Sequence, residues 1–347
     1  MKIALDAMGG DNAPSINVEG AVLAFKQKPS SKIKVLLIGP EKLLKEELAK
    51  YEKKYKIKIP AQNLEIVNAG EVIDMHDHPA QAVRNKKDSS IVIGAKLVGE
   101  KNADAFVSMG NSGAVMTAAL LHMKRIDGVH RPAISTEFPT QDGRCLILDV
   151  GANADCKPIH LLQFGIMGSI YAQKVMGIQN PRVGLVSIGE EETKGNELTL
   201  ATYPVLKKSS LNFIGNIEGR DIPKSNVDVA VCDGFVGNVI LKFGEGLGRM
   251  LFTLIKKALK KHPMVWAALP FIWLALKGLR KKIDPEEVGG APLLGVNGVC
   301  IIGHGSSGSK AVKNAIFTTA RAVSKNVTSE IKEEIANFNT ANPDLAG

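Results

Sequence analysis

The sequence predicts an α/β fold, a Rossmann-like doubly wound and mainly parallel sheet with helices on both faces. Three observations carry this expectation. Short apolar runs of strand length recur along the 347-residue chain, and each is followed by a turn rich in Gly, Ser or Asn and then by a helical stretch. The runs are of the type buried on both sides, as in parallel sheets covered by helices. Composition is that of an ordinary globular protein, 45% hydrophobic and 23% charged.

The elements follow in order. "KIALDA" (2–7) reads as a strand, "MGGDNAP" as its turn, and Pro14 to about Gln27 as a helix. "IKVLLIG" (33–39) precedes Pro40 and a charged helix to about residue 54. "ADAFVSM" (103–109) passes through "GNSG" into "AVMTAALLHMKR", and "RCLILDV" (144–150) passes through "GANADCKP" into a long helix. "RVGLVSI" (182–188), "VDVAVCD" (227–233) and "GVCIIG" (298–303) repeat the arrangement. Residues 1–330 are expected to form a single unit, with a protruding helical segment near 250–285 and a loose tail at 331–347. In a parallel sheet every strand-to-helix turn lies at the carboxyl edge, where ligands bind. Six turns are therefore expected on one edge: Asp6–Pro14, Ser108–Ala114, Asp149–Pro158, Ser187–Glu197, Cys232–Asn238 and Gly303–Ser309. Glycine allows close backbone approach, and helix N-termini attract anions, so these turns point to an anionic ligand.

Net charge is +9, but eight basic residues between Lys256 and Lys282 stand without one acid, leaving the rest near neutral. A nucleic-acid binder would spread its cations over a phosphate-tracking face, so nucleic acid is not expected as a partner. Cys145, Cys156, Cys232 and Cys300 lack any C-x-x-C pair and read as structural thiols. "MKIALDAMGG" places Asp6 where a secretory core would be apolar, so a cytoplasmic protein is expected.

Three chemistries compete. A nucleotide enzyme is opposed by "GHGSSGSK": Ser309 stands where a Walker loop needs lysine, and Lys310 comes one residue late. Asp6, Asp149 and Asp233 could ligate magnesium, yet Asp at these positions commonly caps the following helix; no metal or cofactor is expected. A serine acyl-enzyme is suggested by "GNSGA" (110–114), since Ser112, Asp233 and His304 follow the chain order of the α/β-hydrolase triad. Ser at a helix start is equally a cap. The third chemistry transfers an acyl group to an oxyanion held by the turns. Phosphate is substantially dianionic near neutral pH and attacks a thioester without a general base, so such a site needs positioning and oxyanion donors, not a triad.

The motifs "IALDAMGGDNAP" (3–14), "PAQAVRNKKDSS" (79–90), "GNSGA", "LDVGAN" (148–153), "IGEEETKGNE" (188–197), "CDGFVGN" (232–238) and "GHGSSG" (303–308) together resemble the bacterial phosphate acyltransferases of phospholipid synthesis, the PlsX family. The resemblance spans residues 3 to about 325. It implies transfer of a fatty acyl chain from acyl carrier protein to inorganic phosphate, and a homodimer. On this reading Lys194 and Asn238 are the expected catalytic groups near the thioester carbonyl. Gly9, Gly10, Asn111, Ser112, Gly113, Asn153, Gly234, His304, Gly305, Ser306 and Ser307 are the expected phosphate and substrate contacts.

The segment "KKALKKHPMVWAALPFIWLALKGLRKK" (256–282) has an apolar centre shorter than the roughly 20 residues that span a bilayer, and Pro270 interrupts it. Its two tryptophans and flanking cations suit a membrane surface. Peripheral contact is expected through Trp266, Phe271, Ile272, Trp273 and Leu274, the product being hydrophobic and its consumer a membrane-bound acyltransferase. A dimer interface, a hairpin on its own domain and a partner protein remain open for the same segment.

Overall fold

The computed structural model describes residues 1–29, 32–261, 278 and 284–343. Trp266, Phe271, Ile272, Trp273 and Leu274 lie outside them.

Eleven strands build one sheet. The N-terminal block is β1 (Lys2–Asp6), β2 (Lys34–Gly39), β3 (Leu64–Asn68) and β4 (Ala105–Ser108). The second block holds β5 (Ala133–Pro139), β6 (Arg144–Leu148), β7 (Val183–Val186), β8 (Phe213–Ile217) and β9 (Val229–Val231), and β10 (Ala291–Leu294) and β11 (Val299–Ile302) follow near the C-terminus. The spatial order is β3-β2-β1-β4-β11-β10-β5-β6-β9-β7-β8. Alternation sends each strand's side chains to both faces: Ile3 and Leu5 enter one cluster and Ala4 another, while Leu146 and Leu148 part from Cys145 and Ile147. Both faces are apolar, and helices cover both.

On one face of the first block lie α1 (Ser15–Gln27) and α2 (Glu41–Tyr55). On the other are α3 (Pro79–Asn85), α4 (Ser90–Gly99) and α5 (Ser112–Ala118). The second block is covered by α6 (Pro158–Tyr171) and α7 (Glu197–Lys207), and the start of α8 (Gly234–Lys261) packs on its opposite face. Farther along, α8 exposes Val239, Phe243, Leu247, Leu251 and Leu254, a row at three- and four-residue spacing. No helix among the described residues is long and apolar enough to cross a membrane.

Two features depart from the sequence reading. The tail expected to be loose from residue 331 continues a helix: α9 (Ser309–Ser324) is followed by α10 (Val327–Ala341), whose Val327, Ile331 and Ile335 are buried in the core around α6. Their four-residue spacing forms an apolar stripe. Sheet polarity is the second. β10 runs antiparallel to both β11 and β5, and β5 runs antiparallel to β6. The parallel strands β1, β4 and β11 therefore point one way along the sheet and β6, β9 and β7 the other. The six turns are divided, three to each edge. Twist of roughly 20–25° per strand pair accumulates over the intervening strands, so these two edges need not face opposite directions.

Candidate functional site

At the first edge, the turns after β1, β4 and β11 are tied to one another. Asp6 is fully buried; its Oδ1 accepts the Met8 N–H (3.0 Å) and its Oδ2 accepts the Ser108 hydroxyl (2.6 Å). Ser108 Oγ in turn accepts the Gly110 N–H (3.0 Å), and the Asp11 N–H donates to the Gly305 carbonyl (2.8 Å). Asn17, buried in α1, donates Nδ2 to the carbonyls of Ala7 (3.0 Å) and Gly9 (2.8 Å) and so holds the first turn from beneath. A methyl on Gly9 would lie 2.4 Å from Asp6 Oδ2 and 2.6 Å from Gly110 N. Gly10 has φ +98°, a left-handed conformation that favours glycine. Packing of backbone on backbone demands these glycines whether or not a ligand approaches.

Several expected contacts have their groups occupied. Asn111 Nδ2 faces the carbonyls of Asp74, Met75 and Asp77 (3.1–3.4 Å), and its Oδ1 caps α5 by accepting the Ala114 N–H (3.1 Å). Gly113 packs against Pro79. Ser112 is exposed at the helix start. His304 Nδ1 accepts the Ser306 N–H (3.2 Å) and lies 2.7 Å from Ser306 Oγ, while Ser307 N–H donates to the His304 carbonyl (2.9 Å). With Nδ1 an acceptor, the neutral ring carries its proton on Nε2. Lys310, the misplaced lysine of the loop, is paired with Asp284 (2.8 Å) and Glu287 (2.9 Å).

The second edge is organised by Asp149, also fully buried. Its Oδ1 accepts N–H groups of Ile134, Gly151 and Ala152, and its Oδ2 accepts the backbone N–H and Nδ2 of Asn153 (all 2.6–3.2 Å). Burial pushes both Asp6 and Asp149 above the usual carboxylate range, and their hydrogen bonds pull the other way. Asn153 Nδ2 also donates to the Pro132 carbonyl (2.8 Å), and the Gly234 N–H donates to the Asn153 carbonyl (2.7 Å). Asn153 and Gly234 thus brace this turn. Asp233 Oδ1 caps α8 through the Val236 N–H (2.8 Å). Two expected groups have no side-chain partner among the described residues. Asn238 is exposed beside Gly151, its Oδ1 3.8 Å from where a Gly151 methyl would sit. Lys194 is exposed; its backbone is held by Glu191 and Ser187, and its ammonium makes no ion pair among the described residues.

The strand order β6-β9-β7 sets Asn153, Asn238 and Lys194 on one edge, whereas Ser112 and His304 belong to the other. Asp233 has its Oδ1 committed to the start of α8, and His304 turns Nδ1 to Ser306, not to a carboxylate. The triad suggested by chain order does not assemble. The thiols offer no nucleophile either: burial pushes Cys145, Cys156 and Cys300 up to about 12 and Cys232 higher than usual. Among the described residues Glu190, Glu218 and Asp221 are close enough to share a cation, but Glu218 pairs with Arg220 and Asp221 with Lys224. What remains is a set of amide, ammonium and backbone donors suited to holding oxyanions. Asn17 and Ser108 were not singled out from sequence; Ser108 meets Asp6 from 102 residues away, and Asn17 reaches back from α1 to the turn before it.

A family model described as "Fatty acid synthesis protein" matches residues 1–330. A phosphate acyltransferase of Endomicrobium trichonymphae is 63% identical over 339 residues, covering 98% of this chain and 99% of the relative. One of Desulfitobacterium hafniense is 53% identical over 342 residues, with coverage of 98% and 99%. Among solved structures, a phosphotransacetylase from Streptococcus pyogenes shares the fold with a TM-score of 0.60 at 18% identity, covering 94% of both chains.

Proposed function

The chain belongs to the fatty acid synthesis protein family, and on that premise we propose that it moves a fatty acyl group from an acyl carrier protein thioester to inorganic phosphate, giving acyl phosphate for phospholipid synthesis. A phosphate oxygen attacks the thioester carbon, the C–S bond breaks, and the carrier leaves as a thiolate that takes its proton from water. Phosphate needs no general base, and an ordinary thiol, with a pKa of roughly 8.5, leaves without much protonation. Lys194 and Asn238 stabilise the oxyanion that develops on the carbonyl. The first-edge turns, with Gly9, Gly10, Gly305, Ser306, Ser307, Ser112 and the Nε2–H of His304, offer donors to phosphate or to the product.

The observation that carries this reading is the contrast in availability at the second edge. An ammonium and an amide have no side-chain partner there among the described residues, while burial raises all four thiols and Ser112 lacks an oriented base. The exposed row on α8 supports an apolar cover for that helix, which the reading assigns to a second copy in a homodimer or to the cytoplasmic face of the membrane. The test mixes protein, long-chain acyl carrier protein and phosphate. Free carrier thiol should appear only when phosphate is present, with acyl phosphate formed in equal amount. Carrier release at the same rate without phosphate would overturn direct attack.

A further inference from the structure

Arg131 lies just before β5, a strand that the apolar runs did not reveal. Because β5 is antiparallel to β6, its first residues stand at the edge where β6, β9 and β7 end. Both neighbours of Arg131 are tied down. The His130 N–H donates to Gln163 Oε1 (2.8 Å), and the His130 carbonyl accepts from the Arg125 guanidinium. On the other side the Pro132 carbonyl accepts from Asn153 Nδ2 (2.8 Å). Between these anchors the Arg131 side chain is exposed and makes no hydrogen bond or ion pair among the described residues.

His130, His160 and Lys157 lie nearby. The His130 and His160 rings meet edge to face with centroids 6.0 Å apart. Burial, then the charges of Arg131, His130 and Lys157, push the His160 imidazole down to about 4, so it stays neutral near pH 7. The nearby acids make no ion pair with Arg131 among the described residues: Asp149 is buried with its oxygens taken by five N–H groups, Asp233 Oδ1 accepts the Val236 N–H, and Asp155 is exposed. A guanidinium held at a site edge with no carboxylate partner is suited to bidentate recognition of a phosphate group.

We propose that Arg131 contacts substrate directly and grips a phosphate oxyanion across the edge from Lys194. Strands β5, β6, β9 and β7 are consecutive neighbours, so roughly 14 Å separates the β5 and β7 backbones, with the turns that carry Asn153 and Asn238 following the two strands between them. This inference rests on the acyl-transfer reading, in which two phosphate groups are available. One is the inorganic acceptor, and the other is the phosphodiester of the carrier's thioester-bearing arm.

The experiment uses the full chain and its Arg131→Gln and Arg131→Lys variants. Calorimetry measures binding of inorganic phosphate and, separately, of pantetheine 4′-phosphate at matched ionic strength, and steady-state kinetics measure KM for each substrate. Arg131→Gln should keep its melting temperature without ligand and weaken one of the two probes at least tenfold, with a matching rise in the corresponding KM. Arg131→Lys should recover part of the loss. Weakened inorganic phosphate assigns Arg131 to the acceptor, and weakened pantetheine phosphate assigns it to the donor arm. Binding of neither probe by the unaltered protein, or binding of both within twofold in Arg131→Gln, overturns the proposal. If the unaltered protein forms no acyl phosphate, the acyl-transfer reading falls, while calorimetry still decides the role of Arg131.

Discussion

Two aspartates at strand ends, Asp6 and Asp149, each close a Leu-Asp pair and are equally buried, yet they organise their edges differently. Asp6 reaches across strands to the Ser108 hydroxyl and helps lock three turns together, backbone against backbone. Asp149 gathers N–H groups mostly from its own turn and leaves longer side chains around it unpaired. The first edge is a rigid frame whose polar side chains are largely spent on structure. The second presents Lys194, Asn238 and Arg131 to solvent. A strand-to-helix turn rich in glycine is therefore not by itself evidence of a ligand, since close backbone packing demands glycine too.

The sharpest way to break this contrast is to change each carboxylate to an amide. Asp149→Asn must point its NH2 at N–H donors in either orientation, and we expect a loss of roughly 3–5 kcal/mol, seen as a lower urea midpoint. Asp6→Asn can instead donate to Ser108 Oγ, whose hydroxyl turns to compensate, and should lose about 1–2 kcal/mol. Equal losses would contradict the contrast.

A smaller effect comes from His160. Its folded pKa, about 4, lies below the ordinary value of 6.5. The unfolded chain thus takes up a proton first as pH falls, and stability complete above pH 6.5 drains away between 6.5 and 4. The drain attributable to this half-screened group is about 1–2 kcal/mol. Urea titrations at pH 7 and pH 4.5 should show it in the unaltered protein and not in His160→Gln. The smallest effect is Ser112→Ala, an exposed position whose side chain makes no hydrogen bond among the described residues, which should shift stability by no more than about 0.5 kcal/mol in the same titration.

Much of the frame was legible because strands buried on both faces read as continuous apolar runs, as in "IALD", "VLLI" and "CLIL". The reversal of the sheet was not. β10 is short and contains Pro292, and β5, "AISTEFP", is half polar. The Asp142-Gly143 pair between β5 and β6 is a hairpin signal that local reading could have used. α10 was hidden because Val327, Ile331 and Ile335 are interleaved with charged residues. At the site, the types of residue were legible and their commitments were not. Whether Asn111 faces a ligand or three backbone carbonyls depends on a segment more than thirty residues earlier in the chain.

On the proposed mechanism, rate depends on Lys194 and Asn238 at the second edge and not on a Ser112 nucleophile. Initial rates of acyl-phosphate formation for Lys194→Ala, Asn238→Ala and Ser112→Ala, measured side by side at saturating phosphate and acyl carrier protein, test it most directly. Losses of about 10²–10³ are expected for Lys194→Ala and Asn238→Ala, and at most about tenfold for Ser112→Ala. Abolished activity in Ser112→Ala beside near-normal rates in the other two would contradict it.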